Sequence, residues 1–147
     1  MRKIARLTIV ILLTFSLSLF GLFKTAFSET FRNFKVKVWG NKGDKPGEFN
    51  EPFAIAVDQS ERVYVADIRN HRIQIFSQKG EYFGQWGKQG DGPGEFEKPS
   101  GIAVDNDGNI YVSDYDLDRI QKFTPQGDFL MQWGTHGKNA GQFDSPT

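Results

Sequence analysis

Cysteine is missing from all 147 residues. That excludes disulfides, Cys-based metal sites, a thiol nucleophile and a lipid-bearing Cys behind a leader. Histidine is scarce, with only His71 and His136. Neither sign of charge dominates, since 18 Lys+Arg stand against 18 Asp+Glu. No nucleophile elbow, P-loop, dinucleotide fingerprint or His/Glu metal motif occurs. No segment beyond residue 28 carries a convincing helical period. Long apolar runs are absent but for one, residues 7–23.

That run and its flanks form a leader. Residues 1–6 are basic, residues 7–23 are uncharged, and Ala26-Phe27-Ser28 places small residues at −3 and −1 before Glu29. This is the three-part pattern of a cleaved signal peptide over residues 1–28. The alternative is an uncleaved anchor, for which 17 residues fall slightly short of the roughly 20 that span a bilayer. Either way the rest of the chain is translocated, secreted or periplasmic, with membrane contact only through residues 7–23. Setting aside Arg2, Lys3, Arg6 and Lys24 leaves 14 basic against 18 acidic residues. A mildly acidic mature chain argues against a nucleic-acid partner, which needs clustered Lys and Arg.

What is there in abundance is a repeat. Trp-Gly pairs stand at 39–40, 86–87 and 133–134, 47 residues apart. Gly47/Gly94/Gly141, Phe49/Phe96/Phe143 and Pro52/Pro99/Pro146 keep the same spacing. Within a unit the pattern predicts four short strands. In the first unit these are 53–58, 62–67, 72–76 and 82–87; in the second, 101–105, 109–114, 119–123 and 129–134. The run 53–58 reads as a strand buried on both faces. Residues 34–40 alternate with period two and predict a leading strand. Residues 41–52 read as a loop. Asp107-Gly108 supplies the positive-φ positions of a hairpin turn.

Four short antiparallel strands at a fixed long period read as one blade of a β-propeller. One blade cannot bury both faces of its sheet. Tyr64, Phe76, Trp86, Tyr111, Phe123 and Trp133 are therefore expected to fill the layers between blades. The fold class is all-β, a partial propeller behind an apolar leader helix. The division is residues 1–28 leader, 29–53 leading strand and loop, 54–100 first blade, and 101–147 second blade.

At residues 99–105 (PSGIAVD), 109–114 (NIYVSD) and 70–74 (NHRIQ) the sequence resembles the NHL-repeat family of β-propellers. The second unit keeps Arg119-Ile120-Gln121 but replaces the Asn-His pair with Leu117-Asp118. The resemblance implies a ring of about six blades, of which this chain supplies two. Two uncovered four-stranded faces would expose about 600 Å², the upper end of what monomers tolerate. Two readings follow: the chain is a fragment of a longer propeller, which is favoured, or three copies assemble as a homotrimer.

The candidate sites divide by repetition. Asp67/Asp114 and Arg72/Arg119 recur at a five-residue offset, which a structural role predicts, and Trp86 and Trp133 join them. Residues 105–109 superficially resemble the start of a calcium loop. The twelfth position, however, is Asp116 rather than Glu, and the equivalent turn at 58–62 lacks the pattern. They read as a hairpin turn. A metal site on His71 and His136 would need a further ligand, so no metal and no cofactor is assigned. Some family members are lyases with zinc-bound histidines near the channel, and no spaced set of such histidines is present here. The better functional candidates do not repeat. Arg69, His71, Tyr115, Asp116 and Asp118 change chemistry between units, and in family propellers this turn lies on the ligand side. The expected role is a non-catalytic binding or scaffold module for a protein, peptide or glycan. The alternative is part of a propeller enzyme, a metal-dependent hydrolase or lyase, whose active residues lie outside this segment.

Overall fold

The computed structural model describes residues 37–147. The leader, and the first half of the strand expected over 34–40, lie outside the described residues. Residues 37–40 form no strand. Among the described residues no helix is long and apolar enough to cross a membrane.

The unit Gly40–Thr147 is built on ten strands. They are β1 (Asn41–Lys42), β2 (Glu48–Phe49), β3 (Pro52–Val57), β4 (Arg62–Asp67), β5 (Arg72–Ser77), β6 (Tyr82–Trp86), β7 (Pro99–Val104), β8 (Ile110–Asp114), β9 (Arg119–Phe123) and β10 (Phe129–Trp133). A single turn of 3-10 helix, Ile68–Asn70, joins β4 to β5. β3 to β6 make one antiparallel sheet in chain order, and β7 to β10 make a second. These are two propeller blades. Each has an irregularity at its first strand, at Pro52/Ala54 and at Pro99/Gly101.

The hairpin between the first two strands of each blade is built by an aspartate. Asp105 accepts the N–H groups of Asp107 (3.0 Å) and Asn109 (2.8 Å) on one oxygen. On the other it accepts the Asn109 amide (2.9 Å) and the Tyr111 hydroxyl (3.0 Å). The Asn109 side chain leads in holding the carboxyl down at about 2, against the opposing effect of burial. Asp58 accepts the same pair of N–H groups, from Ser60 and Arg62. The residues that mimic the start of a calcium loop thus spend their lead carboxylate on the turn.

The loop of residues 41–52 is more ordered than its polar composition suggests. β1 and β2 pair in parallel, Lys42 opposite Phe49. Gln89 bridges Phe96, and His136 bridges Phe143, at the equivalent places. The Trp-Gly…Phe spacing explains itself here. Gly87 sits at φ +100° against the Phe96 ring, and a Cβ on it would lie 2.7 Å from that ring and 2.8 Å from the His71 carbonyl oxygen. Only glycine permits both the conformation and the approach.

The apolar core lies between the two blades. Tyr64, Ala66, Ile73 and Ile75 of the first meet Phe96, Ile110, Val112 and Phe123 of the second. Trp86 tilts onto Phe123 at 5.4 Å between ring centroids. Two expectations change. Phe76 packs with Phe49 and Tyr82 on the other face of its sheet, and Tyr111 pairs with Trp133 on the far face of the second blade. β3 is not buried on both faces: Phe53, Ile55 and Val57 are 66%, 39% and 51% exposed. Successive side chains of a strand point to opposite faces. Ala54 turns to the inter-blade core, and Phe53, Ile55 and Val57 turn away from it.

Candidate functional site

A buried polar lattice under the loops precedes any site. Asp67 is fully buried and accepts the Asn50 N–H (2.7 Å), the Asn70 amide (2.8 Å), Arg72 Nε (2.9 Å) and the Gln74 amide (3.2 Å). The Arg72 guanidinium donates onward to the carbonyls of Asp44, Lys45 and Glu48 and to Gln85 Oε1. The second blade keeps the arginine fork but changes the partners of the aspartate, and Arg119 Nε is left without a hydrogen bond. Arg119 reaches the carbonyls of Asp91, Gly92 and Glu95 and Gln132 Oε1. Asp114 instead accepts the N–H groups of Glu97 and Lys98, both at 2.9 Å. Burial lowers the Arg119 pKa, and the Asp114, Asp91 and Glu95 charges oppose that fall. Fixed arginine forks of this kind pin loop carbonyls that would otherwise be buried unpaired. Trp86 stands in the inter-blade core and Trp133 on the exposed face.

On this frame the loops enclose a pocket of about 260 Å³ lined by Ile68, Arg69, His71, Gln89, Glu97, Lys98 and Asp116. Three of the five sequence candidates, Arg69, His71 and Asp116, come together in it. Arg69 follows β4 in the 3-10 turn and donates Nε to Glu51 at 2.9 Å, with both side chains more than half exposed. His71 holds a left-handed φ of 52°. Its Nδ1 meets the Glu97 carbonyl at 2.7 Å. A carbonyl only accepts, so Nδ1 carries a proton. Gln89 donates its amide to the Glu97 carboxylate at 3.1 Å.

Tyr115 is not among the lining residues. Its N–H donates to the Lys98 carbonyl (2.9 Å), and the Lys98 ammonium stands 4.2 Å from its ring centroid. It therefore steadies a pocket residue from behind. Asp118 is elsewhere. It is the repeat-equivalent of His71, with φ 47°, and it accepts the Ser145 N–H at 2.6 Å and meets His136 Nδ1 at 2.8 Å. The Ser145 N–H, with further help from His136, lowers its carboxyl below the ordinary value against the effect of burial. Both left-handed residues thus tie their turn to the next loop, one as donor and one as acceptor.

Gln89, Glu97 and Lys98 escaped the sequence reading. A signal existed: the equivalent residues are Lys42/His136, Asn50/Asp144 and Glu51/Ser145, of which only Asp144 keeps the chemistry of its counterpart, the Glu97 carboxylate. They belong to the loop, which the spacing of Trp-Gly and Phe marks as scaffold.

A family described as 6-bladed beta-propeller matches residues 55–133. The mouse E3 ubiquitin-protein ligase TRIM32 is 47% identical over 45 residues, 31% of this chain and 7% of that protein. Human NHL repeat-containing protein 3 is 44% identical over 46 residues, 31% of this chain and 13% of that protein. Among solved structures, a candidate exported protein from Bacteroides fragilis superposes with a TM-score of 0.52 at 23% identity, over 63% of this chain and 26% of that one. A streptogramin B lyase superposes at 0.51 and 15% identity, over 70% of this chain and 31% of that one. The two solved structures share the blade fold, and in each of the four the match covers a third of the relative or less.

Proposed function

The chain belongs to the 6-bladed beta-propeller family, in its NHL-repeat form, and we propose that it is a non-catalytic binding module for a peptide segment of mixed charge. The segment docks in the pocket between the 68–71 turn and the loop that precedes β7. One observation carries this reading. The lattice residues are identical in the two units at Asp67/Asp114, Arg72/Arg119 and Gln74/Gln121, whereas every lining residue of the pocket differs from its counterpart one repeat away. The scaffold is held constant and the pocket chemistry is free to specialise.

The lining suits a chain with charges of both signs. Arg69 and Lys98 offer donors to a carboxylate, while Glu97 and Asp116 face an ammonium or guanidinium. The Arg69–Glu51 pair is exposed and so worth no more than about 1 kcal/mol. A ligand carboxylate can take over that guanidinium at small cost. With a leader over residues 1–28, the module works outside the cytoplasm, free or held by that leader.

The test is selection of a random peptide display library on the immobilised full chain. Peptides that pair an acidic with a basic residue are enriched, and Arg69→Ala with Lys98→Ala reduces their binding at least tenfold, equivalent to about 1.4 kcal/mol. Enrichment that survives both substitutions, or a glycan array giving the stronger signal, overturns the reading.

A further inference from the structure

We infer that Asp118, His136 and Asp144 form a binding site for a divalent transition-metal ion of the zinc type. One imidazole nitrogen and one oxygen from each carboxylate lie within 4.8 Å of one another. They come from three segments: the turn between β8 and β9, the loop after β10, and the stretch following Phe143. In the chain the two aspartates stand 18 and 8 residues from His136. The fold brings them to it.

One ligand is already fixed. The Asp118 side chain is 14% exposed, and its Oδ1 is taken by the Ser145 N–H, which turns Oδ2 to His136 at 2.8 Å. His136 is 77% exposed and Asp144 is exposed, so both can rotate. Zinc holds imidazole nitrogen and carboxylate oxygen at about 2.0–2.2 Å, which sets tetrahedral ligand atoms about 3.4 Å apart. Rotation of two surface side chains closes the remaining gap. Three protein ligands leave a fourth position for water. The imidazole favours a zinc-type ion over magnesium or calcium, which take oxygen.

The previous junction is a built-in comparison. The positions of Asp118, His136 and Asp144 are held there by His71, Gln89 and Glu97. That set closes on itself, with His71 Nδ1 on the Glu97 carbonyl and the Gln89 amide on the Glu97 carboxylate. One repeat later the Gln89 position becomes His136, so that all three positions carry metal-ligand side chains where the first junction has two, His71 and Glu97. Asp114, Arg119 and Gln121 around them are unchanged from Asp67, Arg72 and Gln74. The fold therefore does not require these three residues, since the first junction forms without them.

The experiment titrates the full chain, first stripped with chelator, with zinc chloride against a chromogenic zinc indicator. One saturable equivalent is expected. His136→Gln, which installs the residue of the first junction, and Asp144→Asn each weaken binding at least about tenfold. Asp118→Asn keeps an oxygen for the Ser145 N–H and weakens it similarly. Asp107→Asn, at an exposed hairpin carboxylate, leaves it unchanged. Cobalt substitution adds the intense visible bands of a four-coordinate site. Circular dichroism matching the parent shows each variant folded. The absence of saturable binding, or an affinity that His136→Gln and Asp144→Asn both leave intact, overturns the proposal.

Discussion

The Asp67 carboxylate accepts hydrogen bonds from Asn50, Asn70, Arg72 and Gln74 with no exposure to solvent. Its removal would leave the Arg72 charge, itself almost fully buried, without its counter-ion. Breaking a buried pair on one side costs about 3–5 kcal/mol. Asp67→Ala is expected to lose that much in urea unfolding followed by tryptophan fluorescence. A loss under about 1 kcal/mol would mean that water takes over the carboxylate's role. The pairing of Asp67 with Arg72 was legible in the five-residue offset repeated in both units. The onward bonds of Arg72 to the carbonyls of Asp44, Lys45 and Glu48 were not. Backbone carbonyls carry no sequence signature, so only the folded loop reveals which of them an arginine fork meets.

The hairpins show the same division one level up. Both blades place an aspartate at the start of the turn, but the position that must turn left-handed is Gly108 in one and Glu61 in the other. Their φ values are +84° and +64°. A side chain there carries strain that glycine does not. Glu61→Gly is expected to stabilise the chain by about 0.5–1 kcal/mol, the relief of the left-handed strain less the extra freedom glycine brings to the unfolded chain. A rise in thermal midpoint checks it, and a fall would show that the Glu61 backbone is not strained. Asp-Gly made the second hairpin legible. The first is less so, because Asp-Gln-Ser-Glu spells no turn and the register of β4 against β3 imposes it. Burial was harder to read than pairing. The run 53–58 is apolar up to Asp58 and reads as doubly buried, yet Phe53, Ile55 and Val57 are exposed. An apolar run tells that a strand wants cover on both faces; it does not supply the cover.

Across the whole molecule, two tryptophans one repeat apart test what an inter-blade layer is worth. Trp86 packs against Tyr64 and Phe123 and approaches Gly127 so closely that a Cβ there would lie 2.8 Å from its ring. Trp133 keeps the matching contact with Tyr111 but is 36% exposed. Trp86→Ala is expected to cost about 3–5 kcal/mol, as for a large aromatic deleted from a core. Trp133→Ala in the same chain should cost under about 1 kcal/mol. Equal losses in urea midpoints would show that both faces are equally covered. The blade, its four strands and its period could be written down from residue spacing alone, because each is enforced by local chemistry that recurs every 47 residues, whereas the aspartate–arginine bond forms at Asp67–Arg72 and not at Asp114–Arg119. The pocket could be anticipated only in part. Arg69, His71 and Asp116 were visible as non-repeating turn residues, while Gln89, Glu97 and Lys98 entered through loop closure, and Tyr115 and Asp118 were turned to other partners. Which divergent residues share a cavity depends on how one blade's turn meets the next blade's loop. That is a long-range contact between segments some 20 to 50 residues apart, and nothing in the local pattern encodes it.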